Sequence, residues 1–77
     1  MRRVQEIVVE IDGMRSRDDE LAVIAALAKV SGVVSATASA SEGLAVVTAD
    51  AAAATPELLR SAVERAGFTP GELRFPE

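Results

Sequence analysis

From residue 4 to residue 12 the chain alternates. Ile7, Val9 and Ile11 fall on one face; Glu6, Val8, Glu10 and Asp12 fall on the other. A two-residue period marks a strand with one buried face, and Gly13 ends it. The period then changes. Leu21, Ile24, Ala25 and Ala28 recur at helical spacing behind Asp18, Asp19 and Glu20, acids that suit the positive end of a helix dipole. Ser16 stands where an N-cap belongs, and Ser16 with Asp19 three residues on approximates a capping box. Lys29 lies near the other end, and Gly32 is a suitable stop. The pattern predicts a helix over residues 16–30.

Residues 33–40 form a second predicted strand, rich in Ser and Ala, and residues 44–49 a third. The short turn Ser41-Glu42-Gly43 makes the two a hairpin. An Ala-rich linker over residues 50–54 leads to Thr55-Pro56, a capping residue followed by proline at the first helical position. Leu58, Leu59, Ala62, Val63 and Ala66 supply the apolar face of this second helix, and Gly67 stops it. Residues 68–75 are interrupted by Pro70-Gly71, which restricts them to a short edge strand. The order βαββαβ is that of an α+β, ferredoxin-like sandwich: a four-stranded antiparallel sheet, both helices on one face, the last strand short. Residues 1–77 make a single domain.

Composition makes the core thin. Ala dominates the apolar residues, and the only aromatics, Phe68 and Phe75, are expected to be the two large core side chains. Leu44 and Val46 are expected to face outward on the sheet as a small apolar patch. The net charge is −4, and the cations (Arg2, Arg3, Arg15, Arg17, Lys29, Arg60, Arg65, Arg74) form no stripe, which argues against nucleic acid. The strongly apolar run over residues 21–28 is far short of the ~20 residues that span a bilayer, so no membrane insertion is expected. Arg2 and Arg3 are followed by acids rather than an apolar stretch, unlike a signal peptide, and a cytoplasmic location is the expectation. There is neither cysteine nor histidine. Disulfides, thiolate chemistry and imidazole catalysis are excluded, and soft or borderline ions lack their usual ligands. With no paired catalytic groups and no phosphate-cradling loop, no enzyme is expected.

Several fragments, in order and at the right separation, carry a family signal. These are Gly13-Met14, Ser31-Gly32-Val33, Val47-Thr48-Ala49-Asp50, Glu57-Leu58-Leu59 and Val63-Glu64-Arg65-Ala66-Gly67-Phe68. Together they resemble the heavy-metal-associated domain of copper chaperones, mercury-binding proteins and the N-terminal regions of metal-pumping ATPases. The resemblance implies the same sandwich fold. It also implies a Gly-Met-x-Cys-x-x-Cys loop whose two thiolates hold a soft metal and pass it to a partner by ligand exchange. Here those two positions are Ser16 and Asp19. A hydroxyl and one carboxylate cannot replace two thiolates for a soft ion.

What remains at the loop can be weighed residue by residue. Met14, Ser16, Asp18 and Asp19 are the candidate ligands for a hard cation, with Asp12 and Glu20 close in sequence. Their spacing is not that of an EF-hand, and Arg15 and Arg17 oppose a cation. Met14 is expected to pack beneath the loop. Ser16 lacks a base that would make it a nucleophile. No cofactor is expected. The resemblance implies that charges around the loop select a docking partner, which singles out Arg15, Ser16 and Arg17; Phe68 matches a family position beside the same loop. The expectation is a non-catalytic interaction or regulatory module of a metal-handling system, a monomer or weak homodimer. Its partner would be a protein such as a metal transporter or chaperone. Two alternatives stay open: a metal carrier using oxygen ligands within residues 13–20, and a dimeric small-molecule sensor, the latter on fold analogy alone.

Overall fold

In the computed structural model, which describes residues 4–75, the elements run β1 (Val4–Asp12), α1 (Arg17–Ala28), β2 (Val33–Ser39), β3 (Leu44–Asp50), α2 (Pro56–Arg65) and β4 (Thr69–Arg74). Arg2 and Arg3, counted among the scattered cations, lie outside the described residues. The sheet order is β2-β3-β1-β4, with every neighbouring pair antiparallel. This is the ferredoxin-like arrangement that the element order predicts, with a last strand of six residues.

The alternation of β1 puts it in the centre. Ile7 and Val9 are fully buried, and Ile11 nearly so. They pack with Ala45, Val47 and Ala49 of β3, Val23 and Leu27 of α1, and Leu59, Ala62 and Val63 of α2. One cluster receives side chains from both helices, so both helices cover one face of the sheet. The register pairs Val8 with Val46 and Glu10 with Leu44. Leu44 and Val46 therefore stand half-buried on the open face, where the sequence places them.

Three expectations are corrected. In α1 the buried residues are Val23 and Leu27, whereas Leu21, Ala25 and Ala28 are exposed and Ile24 only half-buried. Residues 21–28 are apolar all round, so periodicity alone does not fix which side of this helix turns inward. In α2 the predicted face holds for Leu59, Ala62 and Val63, but Leu58 is exposed. Phe75 is 40% exposed and is no core residue, while Phe68 packs half-buried against the core.

Gly32 stops no helix. α1 ends at Ala28 with Lys29 as its C-cap, and Gly32 sits beyond, in the turn entering β2. Its φ is +90°, and a Cβ there would lie 2.7 Å from Cβ of Ala53. Its carbonyl accepts the Asp50 N–H at 2.9 Å. The glycine is needed because two loops cross there with no room for a side chain.

Candidate functional site

The loop between β1 and α1 begins where Gly13 takes a φ of +109°. A Cβ on Gly13 would meet Cδ1 of Phe68 at 3.4 Å, so the half-buried ring of Phe68 lies directly against the loop's first turn. Met14 follows and turns inward, 8% exposed, into the main cluster. Its apolar thioether is thereby spent on packing.

Ser16 then adopts extended backbone (φ −145°, ψ 171°), and its Oγ accepts the Asp19 N–H at 3.2 Å. That satisfies one of the free donors of the first helical turn. Asp19 Oδ2 accepts the N–H of Arg15 at 2.8 Å. A capping box would return this carboxylate to the cap's own N–H; here it reaches one residue further back and closes the loop. Asp18 shares the first turn of α1 but takes part in neither bond.

The next acid, Glu20, ties the loop to the β2–β3 turn. Its Oε2 accepts the N–H of Ala40 at 2.6 Å, and its Oε1 accepts from Arg17 Nη1 at 3.0 Å. The Ala40 N–H, and next the Arg17 guanidinium, hold this carboxyl below its ordinary range. Nothing local in the sequence identifies Glu20 and Ala40 as partners, because they are 20 residues apart. Met14, Arg15, Ser16, Arg17 and Glu20 border, with Ala40 and Ser41, an open depression of about 560 Å³. The structure thus brings together Met14, Arg15, Ser16 and Arg17, with Phe68 at the loop's foot.

The candidate oxygen ligands are not arranged as a cage. Asp19 is bonded to the Arg15 main chain and Glu20 to Arg17 and Ala40. Among the described residues no three His, Cys, Asp or Glu side chains come together in a way that could hold a metal ion. Among them also, no helix is long and apolar enough to cross a membrane.

Comparison with known proteins agrees with this geometry. The profile of the family described as "Heavy-metal-associated domain" matches residues 8–69. The N-terminal domain of PacS from Synechocystis PCC6803 is 33% identical, with 95% of this chain and 98% of that one covered, at a TM-score of 0.75. Oxidized MerP from Ralstonia metallidurans CH34 is 25% identical over 97% of this chain and 100% of that one, at 0.82. A copper-binding domain from HMA7, a P-type ATPase, is 27% identical over 95% of each chain, at 0.81. A comparison with curated proteins finds no match. The family profile spans most of the chain, and the matching folds are those of metal-handling domains. The chain belongs to the heavy-metal-associated domain family, in a form without cysteine.

Proposed function

We propose that this domain is a non-catalytic interaction module of a metal-handling system, one that docks on a protein partner without carrying a soft metal ion. The observation that carries this reading is the use of Ser16 and Asp19. At the positions where the family resemblance implies two thiolates, a hydroxyl and a carboxylate make the two hydrogen bonds that start α1 and close the loop. The loop keeps its shape on the buried Met14 and the Phe68 ring and offers no thiolate.

The docking face is this loop. Arg15 is exposed, and Arg17 keeps a side chain 69% exposed while bonded to Glu20. On a chain of net charge −4 these two guanidinium groups, set beside Asp18, Asp19 and Glu20, are the groups suited to an acidic partner surface, with Ser16 and Phe68 beside them. The similar structures include a copper-binding domain of a P-type ATPase, which makes a transporter domain or a chaperone the partner to test.

The test has two arms. In thiol-free buffer the wild-type chain is titrated with Cu(I) against a chromogenic chelator, and no stoichiometric complex is expected. Labelled with ¹⁵N, it is then titrated with the N-terminal domain of a copper-transporting ATPase. Shifts are expected at Arg15, Ser16, Arg17 and Phe68, with affinity falling at least about tenfold in Arg15→Glu/Arg17→Glu. Tight one-to-one Cu(I) binding by the wild type overturns the reading, as do shifts confined to other surfaces.

A further inference from the structure

The two edges of the sheet are built differently. β4 is closed to further pairing. It carries Pro70, which has no N–H, its ladder is shifted in register against β1 between Val9 and Ile11, and Glu72, Arg74 and Glu10 form ion pairs along it. β2 has neither the proline nor the ion pairs, and its one register shift, between Val33 and Ser35, lies at its start. Its seven residues, VVSATAS, contain no charge and no proline.

The parity of the β2 ladder shows which main-chain groups it leaves open. The Ser39 carbonyl accepts the Gly43 N–H at 2.9 Å, inside the hairpin. In an antiparallel pair, alternate residues turn both main-chain groups toward the same neighbour. Thr37 and Ser39 therefore bond to β3, and Ala36 and Ala38 point their N–H and C=O groups away from it. One step further, the outward N–H of Ala40 is taken by the Glu20 carboxylate. Among the described residues Ala36 and Ala38 have no such side-chain acceptor. They lie on a clean stretch, past the bulge between Val33 and Ser35.

We propose that β2 is a strand-pairing edge whose occupant is β2 of a second copy of this chain, antiparallel about a two-fold axis at Thr37. In that register Ala36 faces Ala38 of the other copy, and Ala38 faces its Ala36. All four outward groups of each strand are used, making four main-chain hydrogen bonds and one eight-stranded sheet. The Thr37 side chains meet across the axis on the open face, an acceptable cross-strand pair, and the alanine methyls on the other face leave room for close approach. Because β2 is uncharged, the two-fold axis brings no like charges together in the strand itself. Repulsion comes only from the net −4 of each chain, so added salt strengthens the pairing.

Sedimentation equilibrium of the full chain tests this. The average mass is expected to rise from 8.0 kDa toward about twice that value near 1 mM protein, and further in high salt. Thr37→Lys places two cations at the axis and is expected to weaken association at least tenfold, as is Thr37→Glu. An equimolar mixture of the two variants is expected to restore it as a heterodimer. Ala38→Pro removes an outward N–H that the native ladder does not use and is expected to abolish association while the fold, read by circular dichroism, persists. A chain still at 8.0 kDa near 1 mM protein in high salt overturns the proposal. So does association unchanged in the Thr37 variants, or a mixture that fails to restore it. Should Ala38→Pro not fold, the Thr37 charge pair decides.

Discussion

Asp19 accepts the main-chain N–H of Arg15 at 2.8 Å, so a side chain in the first turn of α1 fastens the residue just before its own cap. Ser16, between them, bonds in the opposite sense, its Oγ receiving the Asp19 N–H at 3.2 Å. The two bonds share residues and brace one loop. Ser16→Ala is expected to cost about 1 kcal/mol and Asp19→Ala a similar amount, about 0.5–1.5 kcal/mol. In a domain of this size each kcal/mol lowers Tm by about 4–8 °C. Because the bonds brace the same turn, the double variant is expected to lose less than the sum, which a double-mutant cycle in thermal melts measures.

Glu20 gives the loop an acid limit. Its carboxyl is held below the ordinary value of 4.5 by the Ala40 N–H and Arg17. A depressed folded value means the stabilisation is complete above the unfolded value and is lost as pH falls through the folded one. Between neutral pH and about 5 this group is expected to contribute no pH dependence; below about 4.5 Tm falls. Glu20→Gln is expected to lower Tm at pH 7 and to flatten the acid limb, leaving a smaller difference from wild type at pH 3. Parallel melts of the two proteins across pH 3–7 check this, and equal acid slopes would contradict it.

The inward side of α1 is the fact of the fold that periodicity did not supply. β1 was legible because its alternation from Glu6 to Asp12 is broken only at Val8, and α2 because Thr55, Pro56 and Gly67 bracket it. In α1 every position from 21 to 28 is apolar, so the choice of Val23 and Leu27 over Leu21 is made by packing on the sheet. Leu27→Ala is expected to cost about 2–5 kcal/mol, and Leu21→Ala, at a half-exposed position, within about 0.5 kcal/mol. Urea unfolding of both variants separates the two phases of the helix. At the candidate site, the capping role of Ser16 could be read locally, since it depends on neighbours in sequence, whereas the burial of Met14 in the core followed from the family resemblance. The Glu20–Ala40 bond could not, because it joins residues that only the tertiary fold brings together.

Two glycines with similar backbone angles make a controlled pair. Gly32 and Gly67 have φ of +90° and +97°, so alanine is strained at both, by about 1–2 kcal/mol. At Gly67 the new methyl meets nothing within 4 Å, whereas at Gly32 it would sit 2.7 Å from Cβ of Ala53 and 3.2 Å from the Ala54 nitrogen. Gly32→Ala is therefore expected to destabilise by about 1–3 kcal/mol more than Gly67→Ala, the usual cost of overpacking. Comparable midpoints for the two variants in denaturant would show that the loops at Gly32 move apart freely.

The strongest test of what this loop has retained is to give it two thiolates. The chain has no cysteine, so Ser16→Cys/Asp19→Cys introduces one pair and no competing thiols. In place of both bracing bonds the apo variant has none, and its Tm is expected to fall below wild type by more than either single loss but less than their sum. With Cu(I), two thiolates on the loop form the soft donor set that the wild type lacks. A metal that binds only the folded state stabilises it, by about 2.7 kcal/mol at a free concentration one hundred times Kd. The variant's Tm is therefore expected to recover and pass the wild-type value when Cu(I) is added, while the wild type does not respond. Buried Met14 and the Phe68 ring against Gly13 hold the backbone just before the substituted positions, and α1 holds it after them, and this is why two substitutions suffice. A double variant that folds and yet fails to respond to Cu(I) would mean that the loop's shape, and not only its ligands, has moved away from metal binding.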